Sequence, residues 1–210
     1  MTLFSRFFNQ KKEEDQKPQN WKQSLFCDFK DILYILVIFL VIYALFFRMV
    51  IVVGDSMNQT LVDGDRIMLI SGTLYRNPKQ GDIVVVSKDS FRGGECIVKR
   101  VIATEGQKVD IDFENRIVYV DDIPLEESYV YFAPNDHASM SQQGTKFPLV
   151  VSEGCIFVMG DNRNDSLDSR DPSIGLVDHR EILGKAIFIL FPGTDGGCVE
   201  ADYSRIGGLN

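Results

Sequence analysis

The rhythm of hydrophobic positions changes sharply near residue 54. Ile32 to Phe47, ILYILVIFLVIYALFF, holds sixteen uncharged residues in a row, and after Arg48 the apolar character resumes through Val53. With Arg48 snorkelling to the interface, this stretch reaches the ~20 residues that cross a bilayer. It predicts one transmembrane helix over 31–53, preceded by a polar segment over 1–30. Within that leader Leu3, Phe4, Phe7 and Phe8 recur at helical spacing, a pattern shared by a helix lying on the inner leaflet and by a frayed terminus.

Beyond Gly54 the apolar runs shorten. DRIMLIS, DIVVVS, CIVKRVIAT, KVDIDF, RIVYV, CIFVMG and AIFILF are rich in Val, Ile and Phe and are punctuated by DGD, QGD, GG, EGQ and FENR. No helical pattern of 10 to 15 residues intervenes, which predicts a mainly β, largely antiparallel domain over 54–210. Several runs are apolar throughout, so those strands are covered on both faces or lie against the bilayer. Leu125 to Val150, with Pro134, Asn135, Asp136 and SQQGT, reads as an exposed insertion. No internal repeat is evident.

Charge adds a direction. Arg6, Lys11, Lys12, Lys17, Lys22 and Lys30 precede the apolar run, whereas Arg48 alone lies close behind it. The positive-inside rule puts the N-terminus in the cytoplasm and the β domain outside. FFRMVIVVGDSM offers no small-x-small cleavage site, so the segment reads as an uncleaved signal anchor in the plasma membrane. Of the net charge of −8, Met1 to Val53 carry +2 and the remainder −10. Such an acidic domain repels phosphate backbones, and nucleic acid is excluded as a partner.

Four cysteines, Cys27, Cys96, Cys155 and Cys198, show no C-x-x-C spacing, and with only His137 and His179 no zinc ligand set is readable. A disulfide among Cys96, Cys155 and Cys198 is open to these spacings but leaves one thiol over. The cysteines are read as buried small apolar residues.

The candidate chemistry starts at Ser56, three residues beyond Val53 and so at most ~10 Å from the end of the predicted span. A serine in a Gly-Asp-Ser turn ordinarily serves turn hydrogen bonding, and its hydroxyl needs a base to become a nucleophile. His137 falls in the insertion and His179 in the polar turn VDHREI. Lys99, in ECIVKRVIA, has apolar neighbours that would desolvate its amine. Lowering a lysine from ~10.4 to 7 or 8 takes about 4 kcal/mol of differential solvation. The alternative is a lysine snorkelling at a strand edge, the expectation for Arg100. A carboxylate nearby would keep the amine charged, so Asp55 and Asp168 must point away or be neutralised by arginine. GDNRNDSLDSRDPSIG, Gly160 to Gly175, reads either as a solvated turn or as a loop in which Ser166 orients the lysine and Asp168 pairs with Arg170.

Through GDSMNQTLVDGD, GDIVVV, VKRVIATEG and GDNRNDSLDSR, in that order, the chain resembles the type I signal peptidases, membrane-bound serine proteases with a Ser-Lys dyad. The resemblance implies an antiparallel β catalytic domain of the signal-peptidase and SOS-repressor type behind one transmembrane helix. It implies removal of signal peptides from exported preproteins at the outer membrane surface, after small residues in an Ala-x-Ala pattern, without cofactor or metal. The implied partners are signal peptides and the lipid bilayer. Carried over by position, Ser56 is the nucleophile and Lys99 the base, Ser166 holds the amine, and Asp168 and Arg170 give support. Gly54 stands where some members have an oxyanion-donating serine, so the implied oxyanion donors here are backbone N–H groups at Gly54 and Ser56, chiefly that of Ser56. Val52, Met57, Leu61, Ile97 and Val98 are implied pocket residues. Two departures stand out: Gln59 replaces the proline of the usual S-M-x-P-T-L, and Glu105 replaces a proline before Gly106. Two rivals are a self-cleaving Ser-Lys regulator, which should carry a DNA-binding domain in place of the span, and a silent membrane-anchored assembly or pilus-chaperone protein of the same fold.

Overall fold

The computed structural model describes residues 21–88, 91, 93–133, 139–194 and 201–209, with the backbone alone for 21–27. The chain divides into two compact units, Met1–Ala44 and Leu45–Asn210. Leu3, Phe4, Phe7, Phe8, His137 and Cys198 lie outside the described residues.

Helix α1 runs Trp21–Phe46. Its apolar part, Asp28–Phe46, is 19 residues long and wholly unburied within the protein, about 28 Å at 1.5 Å per residue and close to the ~30 Å hydrocarbon thickness of a bilayer. The run is rich in β-branched residues, and a helix is the form in which such a segment satisfies its own backbone in lipid.

The continuation of the span to Val53 is not helical. Phe47–Ile51 form strand β1, paired antiparallel with β2, Arg66–Ser71, in the register Phe47↔Ile70 to Ile51↔Arg66. Hydropathy summed along FRMVIVV does not distinguish strand from helix; the available partner strand does.

The remaining strands are β3 (Ile83–Ser87), β4 (Cys96–Thr104), β5 (Lys108–Asp112), β6 (Ile117–Val120), β7 (Ile123–Pro124), β8 (Leu149–Val150), β9 (Cys155–Met159), β10 (Val177–Asp178), β11 (Ile182–Phe191) and β12 (Gly207–Gly208). The larger sheet has the order β1-β2-β11-β3-β4-β9-β10, with β12 also on β11, and the smaller has the order β7-β6-β5-β8. Every pair is antiparallel. All seven runs read from the sequence are strands.

The runs that are apolar throughout are those covered on both faces. In β3, Ile83 and Val85 join a core with Val52, Met57, Leu61, Ile67 and Leu69, while Val84 and Val86 join another with Val101, Val158 and Ile174. A third core lies between β4, β5, β6 and β9.

Two expectations are corrected. The 125–150 segment is not simply exposed: Met140 is buried, Phe132 packs on the third core, and Phe147 stands edge-on to Phe113 and Phe157 with ring centroids 5.8 Å apart in both pairs. The cysteines are not uniformly buried either, since Cys96 is a free, exposed thiol and Cys155 is free and half-buried. Cys96 opens an edge of β4 where its side chain meets solvent, whereas its neighbours further along the strand turn into the core.

Candidate active site

The turn that follows β1 is closed by two backbone hydrogen bonds, from Val52 N–H to the Asp65 carbonyl at 2.8 Å and from Gly64 N–H to the Val52 carbonyl at 2.9 Å. Gly54 takes a left-handed φ of 86°, which a glycine adopts without the steric cost of a Cβ. Its N–H donates to the Asp63 Oδ1 at 2.7 Å. Met57 and Leu61 drive into the core below, so the turn is pinned by apolar burial while Ser56 stays half-buried at its rim.

Lys99 sits in the middle of β4, opposite Val84, and is only 3% exposed. Its Nζ lies 2.6 Å from Ser56 Oγ and donates to the Val98 carbonyl at 2.9 Å. Burial pushes the amine down from the ordinary lysine value of 10.5 to about 8; the charges of Asp168 and Asp161 oppose this, and Arg170 assists it. Desolvation wins because both carboxylates are paired.

Asp168 and Arg170 are fully buried, with Arg170 Nε to Asp168 Oδ1 and Nη2 to Oδ2 both at 2.8 Å. Burial alone would raise the Asp168 carboxyl, but the Arg170 charge and hydrogen bonds, with the Gly160 N–H, hold it below its usual range. Arg100 is likewise 3% exposed rather than snorkelling, and its guanidinium grips Asp161 through Nε at 2.9 Å and Nη2 at 2.7 Å. Alternation along β4 turns Lys99 and Arg100 to opposite faces.

The loop after β9 holds the turn from the side. Gly160 lies so close that a Cβ there would stand 2.1 Å from Ser166 Oγ and 2.5 Å from the Ser56 carbonyl oxygen. Asn162 donates its N–H to the Ser56 carbonyl and its Nδ2 to the Asp55 carbonyl, both at 3.1 Å. Thr60 Oγ1 donates to Asp161 Oδ2 at 2.6 Å. The 125–150 segment braces the same loop, with Gln143 Nε2 on the Ser166 carbonyl at 2.5 Å and Thr145 Oγ1 on the Ser169 carbonyl at 3.1 Å.

The implied contact between Ser166 and the lysine amine is not formed. The Ser166 hydroxyl donates to Asp168 Oδ2 at 2.9 Å, because that buried carboxylate is the stronger acceptor. Gly54 is corrected as an oxyanion donor, its N–H being engaged by Asp63. The N–H of Ser56 has no hydrogen-bond partner among the described residues.

A cleft of about 460 Å³ opens beside Ser56 and Lys99, and Val52, Val53, Met57, Ile97, Val98 and Leu167 lie along it. Leu61 is not among its walls: it is 0% exposed and belongs to the core under the turn. Glu105 has found a role without proline, its Oε2 accepting the Gly154 N–H at 2.7 Å. His179, on the 3₁₀ turn His179–Glu181, is tied by its N–H to the Gly154 carbonyl at 2.9 Å and makes no hydrogen bond to Ser56.

Gly160, Asp161, Asn162, Thr60 and Arg100 were the residues that sequence reasoning did not bring to the site. GDN directly after an apolar strand was the available signal for the first three; nothing local distinguishes Arg100 from an exposed arginine.

The sequence profile of the family described as "Signal peptidase, peptidase S26" matches residues 28–191. The signal peptidase I of Bacillus licheniformis is 34% identical over 181 residues, spanning 85% of this chain and 95% of that protein. A protein named probable signal peptidase I-1 of Synechocystis is 37% identical over 152 residues, spanning 69% of this chain and 71% of its own. A crystal structure of a signal peptidase I from Enterococcus faecalis is 29% identical and superposes with a TM-score of 0.40, covering 52% of this chain and 96% of that one.

Proposed function

We propose, from the premise that this chain belongs to the signal peptidase family, peptidase S26, that Ser56 and Lys99 are the dyad with which it works. The family is one of serine peptidases that remove signal peptides. The observation that carries the assignment is the 2.6 Å approach of a buried lysine amine, pushed down to about 8, to the one serine hydroxyl at the mouth of the cleft.

Neutral Lys99 takes the Ser56 proton as Oγ attacks the scissile carbonyl. Negative charge develops on the carbonyl oxygen, where the unengaged Ser56 N–H is the donor proposed to receive it. The protonated amine then gives its proton to the leaving amine, and an acyl-enzyme remains. Lys99, neutral again, takes a proton from water, which attacks the ester and returns Ser56 to its hydroxyl form. Asp168 and Arg170 hold the loop around Ser166, and their pairing keeps the carboxylate from recharging the lysine.

Val52, Val53, Ile97, Val98 and Met57 give the cleft apolar walls, which suits small apolar side chains and supports cleavage after an Ala-x-Ala pattern. The exposed apolar helix Asp28–Phe46 is the membrane anchor. The basic leader supports a cytoplasmic N-terminus, with the β unit outside the plasma membrane.

The test is cleavage of a preprotein with an Ala-x-Ala site by the full chain in detergent micelles. Wild type is expected to cut after the second alanine, with kcat/KM rising with pH through about 8 as the amine of Lys99 loses its proton. Ser56→Ala and Lys99→Met are each expected to lose about 10³-fold or more in kcat. A folded Lys99→Met protein with wild-type turnover would remove the lysine from the mechanism.

A further inference from the structure

The segment that follows β11, beyond the residues matched by the family profile, returns to the underside of the turn that carries Ser56. Gly193 lies flat against it: a Cβ there would stand 2.0 Å from the Asp63 carbonyl oxygen and 2.6 Å from the Asp65 nitrogen. Further on, Asp202 caps the 3₁₀ turn Tyr203–Arg205 by accepting the Ser204 N–H at 3.0 Å. Strand β12 then pairs with β11 through Phe188↔Gly208 and Ile189↔Gly207. Leu209 packs on the core formed by Val52, Met57 and Leu61, the side chains that root the turn.

At the centre of this contact is Asp65, whose side chain is completely buried. Its Oδ1 accepts the Gly193 N–H at 2.7 Å and Arg205 Nη1 at 3.0 Å, and its Oδ2 accepts the Val62 N–H at 2.9 Å and Arg205 Nη2 at 2.6 Å. The same Nη2 reaches the Thr60 carbonyl at 3.2 Å. Thr60 in turn binds Asp161 through its hydroxyl, and the residue after Asp161 holds the Ser56 carbonyl. Arg205 therefore grips the turn at two points, Thr60 and Asp65.

We propose that the segments 192–194 and 201–209 form a strap under the nucleophile turn, with Arg205 a positioning residue for Ser56. The proposal rests on the reading of Ser56 as nucleophile and adds a residue that never meets substrate. An ion pair serving only to fasten this segment would need one carboxylate; this guanidinium also binds a main-chain carbonyl within the turn. A misplacement of the hydroxyl by about 1 Å is enough to cost ~10²-fold in rate.

The experiment compares the full chain, Arg205→Met and Arg205→Lys in detergent micelles well below their melting temperatures. Steady-state cleavage is measured together with amide hydrogen exchange over residues 52–65 and 97–104. Arg205→Met is expected to lower kcat by about 10- to 100-fold with KM within about two-fold, and to speed exchange in 52–65 while 97–104 stays protected. Arg205→Lys, able to keep one hydrogen bond, is expected to recover part of the kcat. Unchanged kcat in the folded Arg205→Met protein overturns the positioning role, and so does a loss of KM alone. Unchanged exchange in 52–65 overturns the strap. If Ser56→Ala cleaves as well as wild type, the failure lies with the nucleophile assignment, and the exchange comparison still decides whether the strap orders the turn.

Discussion

At the scale of the residue, Lys99 works against stability where it serves reactivity. Between about 8 and its ordinary value of 10.5, the unfolded chain holds a proton there that the folded chain has released. Stability therefore rises with pH across that window, and below it folding carries the full cost of burying an ammonium group. The lowering corresponds to about 3 kcal/mol, offset by roughly 1 kcal/mol of hydrogen bonding. Lys99→Met is accordingly expected to be more stable than wild type at pH 7 by on the order of 2 kcal/mol, with the gap closing towards pH 10. Thermal unfolding of the full chain followed by circular dichroism checks this, and a gap independent of pH would mean that the amine titrates normally. Lys99 was legible because apolar residues flank it. Arg100 shares those flanks and was misread, because its partner Asp161 stands 61 residues away and only the folded register brings the two together. The Gly54 N–H was equally hidden, its acceptor Asp63 being set by the course of the turn.

At the scale of the element, the loop from Gly160 to Arg170 is held by the Ser56 turn, by Thr60 and Arg100 through Asp161, by the 125–150 segment and by its own ion pair. Its tightest approach to the turn is at Gly160. Gly160→Ala must push Ser166 or the Ser56 carbonyl aside, so it is expected to destabilise by about 1–3 kcal/mol and to reduce kcat by about 10²-fold. Melting and turnover measured on one preparation test this, and an unaltered turnover would show that the loop adjusts without disturbing Ser56. The seven long strands were legible because β-branched and aromatic runs between turn residues carry their own signal. The two-residue strands β7, β8, β10 and β12 carry none. The bracing by Gln143 and Thr145 was also out of reach, since a polar side chain bound to a distant carbonyl has the same sequence signature as one in water. Strand β1 was lost in the helix because the two are contiguous and equally apolar.

For the whole molecule, one exposed thiol offers a test of orientation. With Cys27, Cys155 and Cys198 replaced by serine, Cys96, which lines the cleft, should react with a membrane-impermeant maleimide in intact cells, and the labelled enzyme should lose cleavage activity. Labelling only after the membrane is opened would reverse the proposed topology. The acidic β unit and the basic leader were visible from composition; the strand order was not, because pairing across more than a hundred residues leaves no periodic trace. That order has a consequence in time. Ser56 follows β1, Lys99 lies on β4, and the strand that joins their two halves of the sheet is β11, between β2 and β3. As the ribosome delivers the chain, both reactive residues emerge long before residues 182–191, and until those arrive the sheet lacks the strand that joins its two halves. The newborn protein thus carries both reactive residues before it can complete the sheet that brings them together, and β11 is threaded into the middle only after every strand it separates has emerged.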